Sequence, residues 1–187
     1  MKITKTKIEG LLIIEPDIFG DDRGFFVETY NKERYIENGI DVDFVQDNLS
    51  KSVKGVLRGL HFQKEPYAQG KLVQVVSGSV LDVAVDIRHG SETFGKWESI
   101  KLTGDNKKQF WIPQGFAHGF VALEDDTIFS YKCTNLYNKE SEGAIKWDDA
   151  HLGIDWQLGQ YGIMEPIISD KDKDSFAFCN IDKDFTM

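Results

Sequence analysis

From Lys71 to Arg88 the chain reads KLVQVVSGSVLDVAVDIR, two runs rich in β-branched residues on either side of a Ser77-Gly78 turn. In the second run Leu81, Val83, Val85 and Ile87 fall on one face and Val80, Asp82, Ala84 and Asp86 on the other. That is the period of a strand, and it excludes an amphipathic helix here. The pattern recurs in WIPQGFAHGFVAL, an acidic turn at Glu124 to Asp126, and TIFSYKCTN, where Phe129, Tyr131 and Cys133 alternate with Ser130, Lys132 and Thr134. Each of the two stretches is predicted to be a hairpin-like strand pair. Helical signals are confined to Asn31 to Asn38, where Asn31 can cap the first amides and Gly39 can supply a left-handed exit. Many short antiparallel strands with few helices predict an all-β jelly roll or another closed β architecture, with any ligand site at the strand-lined mouth.

Size and charge narrow the functional classes. At 187 residues the chain is expected to form one domain, residues 1–187, burying roughly 70% of its unfolded surface without staples. No apolar run approaches the roughly 20 residues that span a bilayer. The apolar stretch Leu11 to Ile14 is too short for a signal-peptide core, so the expected location is the cytoplasm. With 22 basic and 31 acidic residues the net charge is −9, which disfavours nucleic-acid backbones but leaves room for a small anionic ligand at a local cluster of cations. The two cysteines, Cys133 and Cys179, are too few for a disulfide framework and read as buried structural thiols.

Four histidines are present, and two keep unusual company: His61 in VLRGLHFQ and His118 in PQGFAHGF. His89 and His151 read as loop residues. A lone histidine is most often satisfied by a hydrogen bond in or near the core. His61, however, shares its neighbourhood with Arg58, Gln63 and Lys71, just before or within strands that otherwise want apolar residues. Burying several such groups in a plain core would leave cations desolvated at a cost of several kcal/mol, whereas a cavity for an anionic, hydrogen-bonding ligand compensates them. The bland reading is that Arg58 and Lys71 snorkel to solvent. Tyr131, in phase with the apolar row, points inward and needs a partner or a cavity. Taken singly, Arg23, Glu28, Gln46 and Asn48 are weak signals, and Asp21 to Gly24 reads as a turn.

The series DDRGFFVETY, FVQDNLS, VLRGLHFQ, GKLVQVVSGSVLDVAVDIR, PQGFAHGF, YKCTNLYN, SEG and SDKD resembles, in order and spacing, the dTDP-4-dehydrorhamnose 3,5-epimerase family of the cupin superfamily. The resemblance implies a cupin-type jelly-roll barrel with short peripheral helices. It also implies an activity that needs no cofactor: removal of a proton from a sugar carbon next to a ketone and its return from the other face. By resemblance His61 is the base, Lys71 with Arg58 or His118 stabilises the enolate oxygen, Tyr131 is the acid, and Asp172 rather than its neighbour Asp170 orients His61. Substrate contacts are implied for Arg23, Phe26, Glu28, Gln46, Asp47, Asn48, Arg58, Lys71, His118, Tyr137, Glu142 and Lys171, although an aromatic in a strand, such as Phe26, is more often core. Asp82 is either a partner for His118 or an exposed strand aspartate.

Metal-binding cupins resemble a cluster of two histidines and a carboxylate followed by a third histidine. Here Pro113, Gly115 and His118 match, but Gln63 stands where a second histidine would, and Lys71 lies near the carboxylate's position. An ammonium repels a cation, so no metal is expected. Family members resemble homodimers that exchange an N-terminal strand, so part of this set is expected to serve a partner. No nucleic-acid or membrane partner is expected. The ending KDSFAFCNIDKDFTM departs from the family's usual one and receives no role. A single-carbon epimerase, a 3,4-ketoisomerase, a metal cupin and a non-catalytic sugar-binding jelly roll remain alternatives.

Overall fold

The computed structural model describes residues 1–181. Thirteen strands are described there: β1 (Lys2–Lys5), β2 (Leu12–Glu15), β3 (Ile18–Asp21), β4 (Gly24–Val27), β5 (Gln46–Ser52), β6 (Leu57–Gln63), β7 (Lys71–Ser77), β8 (Ser79–Asp86), β9 (Trp97–Thr103), β10 (Gln109–Ile112), β11 (Phe116–Ala122), β12 (Thr127–Cys133) and β13 (Glu142–Ala144). Helix α1 (Lys32–Glu37) follows β4, and the single turn α2 (Asp170–Lys173) lies near the C-terminus. One sheet runs β1-β2-β10-β7-β12-β5 and the other β13-β6-β11-β8-β9, while β3 and β4 form a separate two-stranded ribbon. The sheets face each other across Val73, Val75, Phe110 and Phe129 from the first and Val80, Ala84, Phe116 and Phe120 from the second.

This is the expected closed β architecture, with one revision of the strand pairing. Neither predicted hairpin pairs with itself: β7 belongs to the first sheet and β8 to the second, and the same holds for β12 and β11. The turns carry the chain across the sandwich instead of back along one sheet, and alternation, which reports a strand's two faces, carries no information on its neighbour. Both faces of β8 are buried. Leu81, Val83, Val85 and Ile87 meet a cover that includes Leu152, Trp156 and Ile163, while Val80 and Ala84 meet the barrel interior. The outer face of the first sheet is covered by α1, whose Tyr35 packs with Ile14, Leu72 and Trp111. Asn31 caps α1 as expected, accepting from the Arg34 amide at 3.2 Å, and Gly39 leaves at φ +89°.

The cysteines divide. Cys133 is buried, but Cys179 is exposed, correcting its reading as a core thiol. It sits in the short 3-10 turn Phe178–Asn180, whose Phe178 ring turns toward Phe94 while the next residue looks outward.

Candidate active site

Strand β6 carries the central residue, and its backbone explains how. Along a regular strand, residues three apart point to opposite faces. Between the pairs His118↔His61 and Phe120↔Arg58 the register with β11 shifts, and Gly59 sits in the irregularity at φ +128°. A Cβ on Gly59 would lie 2.5 Å from the Gly119 Cα, so only glycine permits the two strands this approach. The displacement puts Arg58 and His61 on the wall of one hollow.

His61 Nε2 lies 2.6 Å from Asp172 Oδ1, and Asp172 Oδ2 accepts from the Gly59 amide at 3.4 Å. Burial works to raise the pKa of Asp172, but the hydrogen bond and charge of His61, with the Gly59 amide, outweigh it and hold the carboxyl below its usual range. An ionised Asp172 fixes the proton on Nε2 and leaves the lone pair on Nδ1, the tautomer a general base requires. Asp170, two residues earlier, pairs with Lys173 at 3.2 Å instead.

Beside this pair, at the mouth of the barrel, lies a cavity of about 270 Å³ whose walls include His61, Gln63, Lys71, Tyr131, Tyr137 and Glu142. Gln46 and Asn48 of β5 complete the polar wall. Clefts that enclose a whole drug-sized ligand usually measure roughly 300–1,000 Å³, so this one suits a sugar ring with the rest of a larger ligand outside. Lys71 is half-buried in the cavity wall, and desolvation pushes its pKa down while Cys133, Asp82 and Glu142 push it back. Burial also raises the Tyr131 phenol, with Cys133 adding to the rise and the Arg58 charge opposing it. At neutral pH Tyr131 therefore keeps its proton, as an acid must. Glu142 accepts from Lys171 at 2.5 Å and from the Tyr137 hydroxyl at 3.0 Å.

His118 lies deeper. Its Nε2 is 3.0 Å from both oxygens of Asp82, which is fully buried, so the alternative of an exposed strand aspartate is overturned. Its ring stacks on Phe129, which in turn neighbours Tyr131. Arg58 stands at the rim, exposed, with its Nε donating to Ser52 Oγ at 3.3 Å.

Four residues of the expected set lie elsewhere. Asp47 alternates with Gln46 and Asn48 and so points out of the barrel, to Lys132 at 3.0 Å. Arg23 and Phe26 are on the β3–β4 ribbon, where Arg23 pairs with Asp21. Phe26 is 66% exposed, against the reading of a strand aromatic as core. Glu28, just beyond the ribbon, pairs with Arg34 at 2.7 Å.

Two amides brace the site: Gln63, which the sequence marks as a polar neighbour of His61, and Gln69, which it does not mark. Gln63 Nε2 donates to the carbonyls of Tyr67 and Leu136 while its Oε1 accepts from the Asn138 amide at 2.7 Å. Gln69 Nε2 donates to the Asn135 carbonyl at 2.8 Å. Together they fix the loop that carries Tyr137. Gln63 was legible among the polar neighbours of His61, whereas Gln69 lies in a loop and left no such signal. Among the described residues no group of three or more His, Cys, Asp or Glu is arranged to hold a metal ion.

A double-sheet jelly roll with a carboxylate-backed histidine, a half-buried lysine and an inward tyrosine around a sugar-sized cavity defines a cupin-type isomerase. A family profile described as dTDP-4-dehydrorhamnose 3,5-epimerase matches residues 5–180. The chain belongs to that family. It is 52% identical over 183 residues to the dTDP-4-dehydrorhamnose 3,5-epimerase of Shigella flexneri, covering 97% of this chain and 98% of that one. It resembles the solved dTDP-6-deoxy-D-glucose-3,5-epimerase of Legionella pneumophila Philadelphia 1 in complex with dTDP-4-keto-L-rhamnose, with a TM-score of 0.92 and 53% identity over 97% of this chain and 94% of that one. A more distant likeness is to a 3'-monoepimerase from Streptomyces bikiniensis in complex with dTDP-quinovose, with a TM-score of 0.86 and 33% identity over 93% of this chain and 86% of that one.

Proposed function

We propose that the chain, working as one domain, converts dTDP-4-dehydro-6-deoxy-D-glucose to dTDP-4-dehydro-L-rhamnose by inverting carbons 3 and 5, a step toward dTDP-L-rhamnose. The observation that carries the proposal is the His61–Asp172 pair at 2.6 Å opening on the cavity that also holds Lys71 and Tyr131. His61 Nδ1 takes the proton from the carbon beside the ketone. The electron pair of the broken C–H bond passes to the ketone oxygen, and the Lys71 ammonium holds the resulting enolate. Tyr131 returns a proton to the opposite face, is left as a phenolate and regains its proton from solvent, while His61 releases the one it took. Protons in and out balance, so the chemistry calls for no redox partner. Lys71 and Gln63, at the positions where a metal-binding cupin would offer lone pairs and charge, support a metal-free reaction.

The resemblance to a 3'-monoepimerase keeps a single inversion as the second reading. Proton NMR of the dTDP-4-keto sugar in heavy water separates the readings. Loss of the signals at both carbons with formation of the rhamnose-configured product is expected. Loss at one carbon establishes a monoepimerase, a moved ketone establishes a ketoisomerase, and no exchange at either carbon overturns the reading.

A homodimer is part of the proposal. The β3–β4 ribbon exposes Phe19, Phe25 and Phe26 together, more apolar surface than a lone chain ordinarily leaves in water. Arg23, Phe26 and Glu28, which the family resemblance ties to substrate, lie away from their own chain's cavity. We assign the ribbon to the partner's site. The ribbon, residues 18–27, is the N-terminal element we assign to the exchange, while β1 pairs with β2 within the chain. Two unbridged cysteines and no described helix long and apolar enough to cross a membrane support the cytoplasm as the place of action.

A further inference from the structure

The turn α2, which carries Asp172, belongs to neither sheet. It is strung between two isolated one-residue bridges. Upstream, Ile167 donates to the Gly55 carbonyl at 2.8 Å and accepts from the Leu57 amide at 3.0 Å. Downstream, Phe176 donates to the Ala144 carbonyl at 3.3 Å and accepts from the Lys146 amide at 2.9 Å. Beyond the second bridge the strap is made fast once more: the Phe178 amide donates to Asp149 Oδ2 at 2.8 Å. The other oxygen of Asp149 accepts from the amides of His151 and Leu152, so this carboxylate is saturated by backbone donors and buried. A charged acceptor makes a stronger hydrogen bond than a carbonyl. Asp149 is thus the firm end of the strap, and it lines neither the cavity nor the His61 hollow.

We propose that Asp149 is a positioning residue for proton transfer: by anchoring Phe178 it holds the C-terminal strap taut and keeps Asp172 on His61. The inference rests on the reading of Asp172 as the orienter of the base. It assigns a role to the segment SFAF that its sequence alone left without one.

The test is a double-mutant cycle on the full-length enzyme, followed by turnover of the dTDP-4-keto sugar. Asp149→Ala is expected to lower kcat about tenfold, the lower end of the loss seen when a supporting partner of a site ligand is removed, with KM changed less than twofold. In an Asp172→Asn background the same replacement is expected to change kcat less than twofold, because the carboxylate it positions is already gone. Equal losses in both backgrounds would mean general damage and overturn the proposal. So would an unimpaired Asp149→Ala beside a crippled Asp172→Asn. A silent Asp172→Asn would instead overturn the reading of the base, and the strap's role with it. Should Asp149→Ala not fold, Asp149→Asn, which keeps one acceptor oxygen, enters the same cycle. Amide hydrogen exchange in that variant is expected to rise at least tenfold across residues 170–178, and unchanged protection with reduced kcat would refute the strap.

Discussion

At the scale of single residues the site sorts its groups by burial. Among the described residues His61 alone in the cavity is positioned as a base with a carboxylate behind it, so His61→Asn is expected to lower turnover at least 100-fold, with folding intact by circular dichroism. Tyr131→Phe keeps the ring and removes the proton. Exchange of the substrate proton into heavy water is expected to continue in this variant while completion of one inversion falls well behind it; equal rates of the two would remove Tyr131 from the mechanism. Tyr131 was legible because a polar side chain at an inward strand phase contradicts its surroundings, and His61 because of its polar neighbours and the family resemblance. Asp47 was named by the resemblance alone, and one residue of phase turns its side chain from the wall of the cavity to Lys132 on the outside of the barrel.

A second charged group matters for stability. Asp86 is fully buried and accepts from Arg88, Ser91 and Thr93 at 2.6–2.9 Å. Burial alone would raise its pKa, but these bonds lower it. Its stabilisation is therefore complete above the unfolded value near 3.8 and lost as pH falls through the lower folded value. Asp86→Asn is expected to cost about 3 kcal/mol at pH 7, as for a broken buried pair, and progressively less below pH 4. Urea midpoints at several pH values measure the difference.

At the scale of elements the decisive feature is the close approach of β6 and β11 at Gly59. Gly59→Ala brings a Cβ within 2.5 Å of the Gly119 Cα and 2.8 Å of the His118 carbonyl, both backbone atoms that cannot rotate away. The φ of +128° is also one that side chains rarely adopt. A loss of about 2–4 kcal/mol is expected from strain and overpacking together, read as a lower urea midpoint, and kcat is expected to fall further than stability because His61 and the Asp172 contact share that backbone. Strand identities and the capped helix were readable from local patterns, since period 2, Asn31 and Gly39 are local. Strand partners were not. Whether the Ser77-Gly78 turn folds β8 back on β7 or sends it to the other sheet is settled by residues far away in sequence, such as Thr127, whose atoms lie where a side chain on Gly78 would be.

For the whole molecule the two sheets account for the barrel, and the ribbon for what lies outside it. If Arg23 serves the partner's cavity, chains carrying His61→Asn and chains carrying Arg23→Ala should complement one another. In a mixed dimer one site has both changes and the other has neither. Random reassortment of equal amounts makes half the dimers mixed, so recovery to about a quarter of parental activity is expected; recovery absent from dimers shown to have exchanged would return Arg23 to its own chain's site. The family resemblance, carried by motifs spread along most of the chain, implies such a shared site, but no local pattern distinguishes a ribbon that crosses from one that folds back. The opposite end of the chain offers a different opportunity. With Cys133 enclosed and Cys179 outside, a thiol-reactive dye attaches at one place, a single residue past the anchor of the strap. Its emission would report, turnover by turnover, whether the segment holding Asp172 stays docked while the sugar passes through.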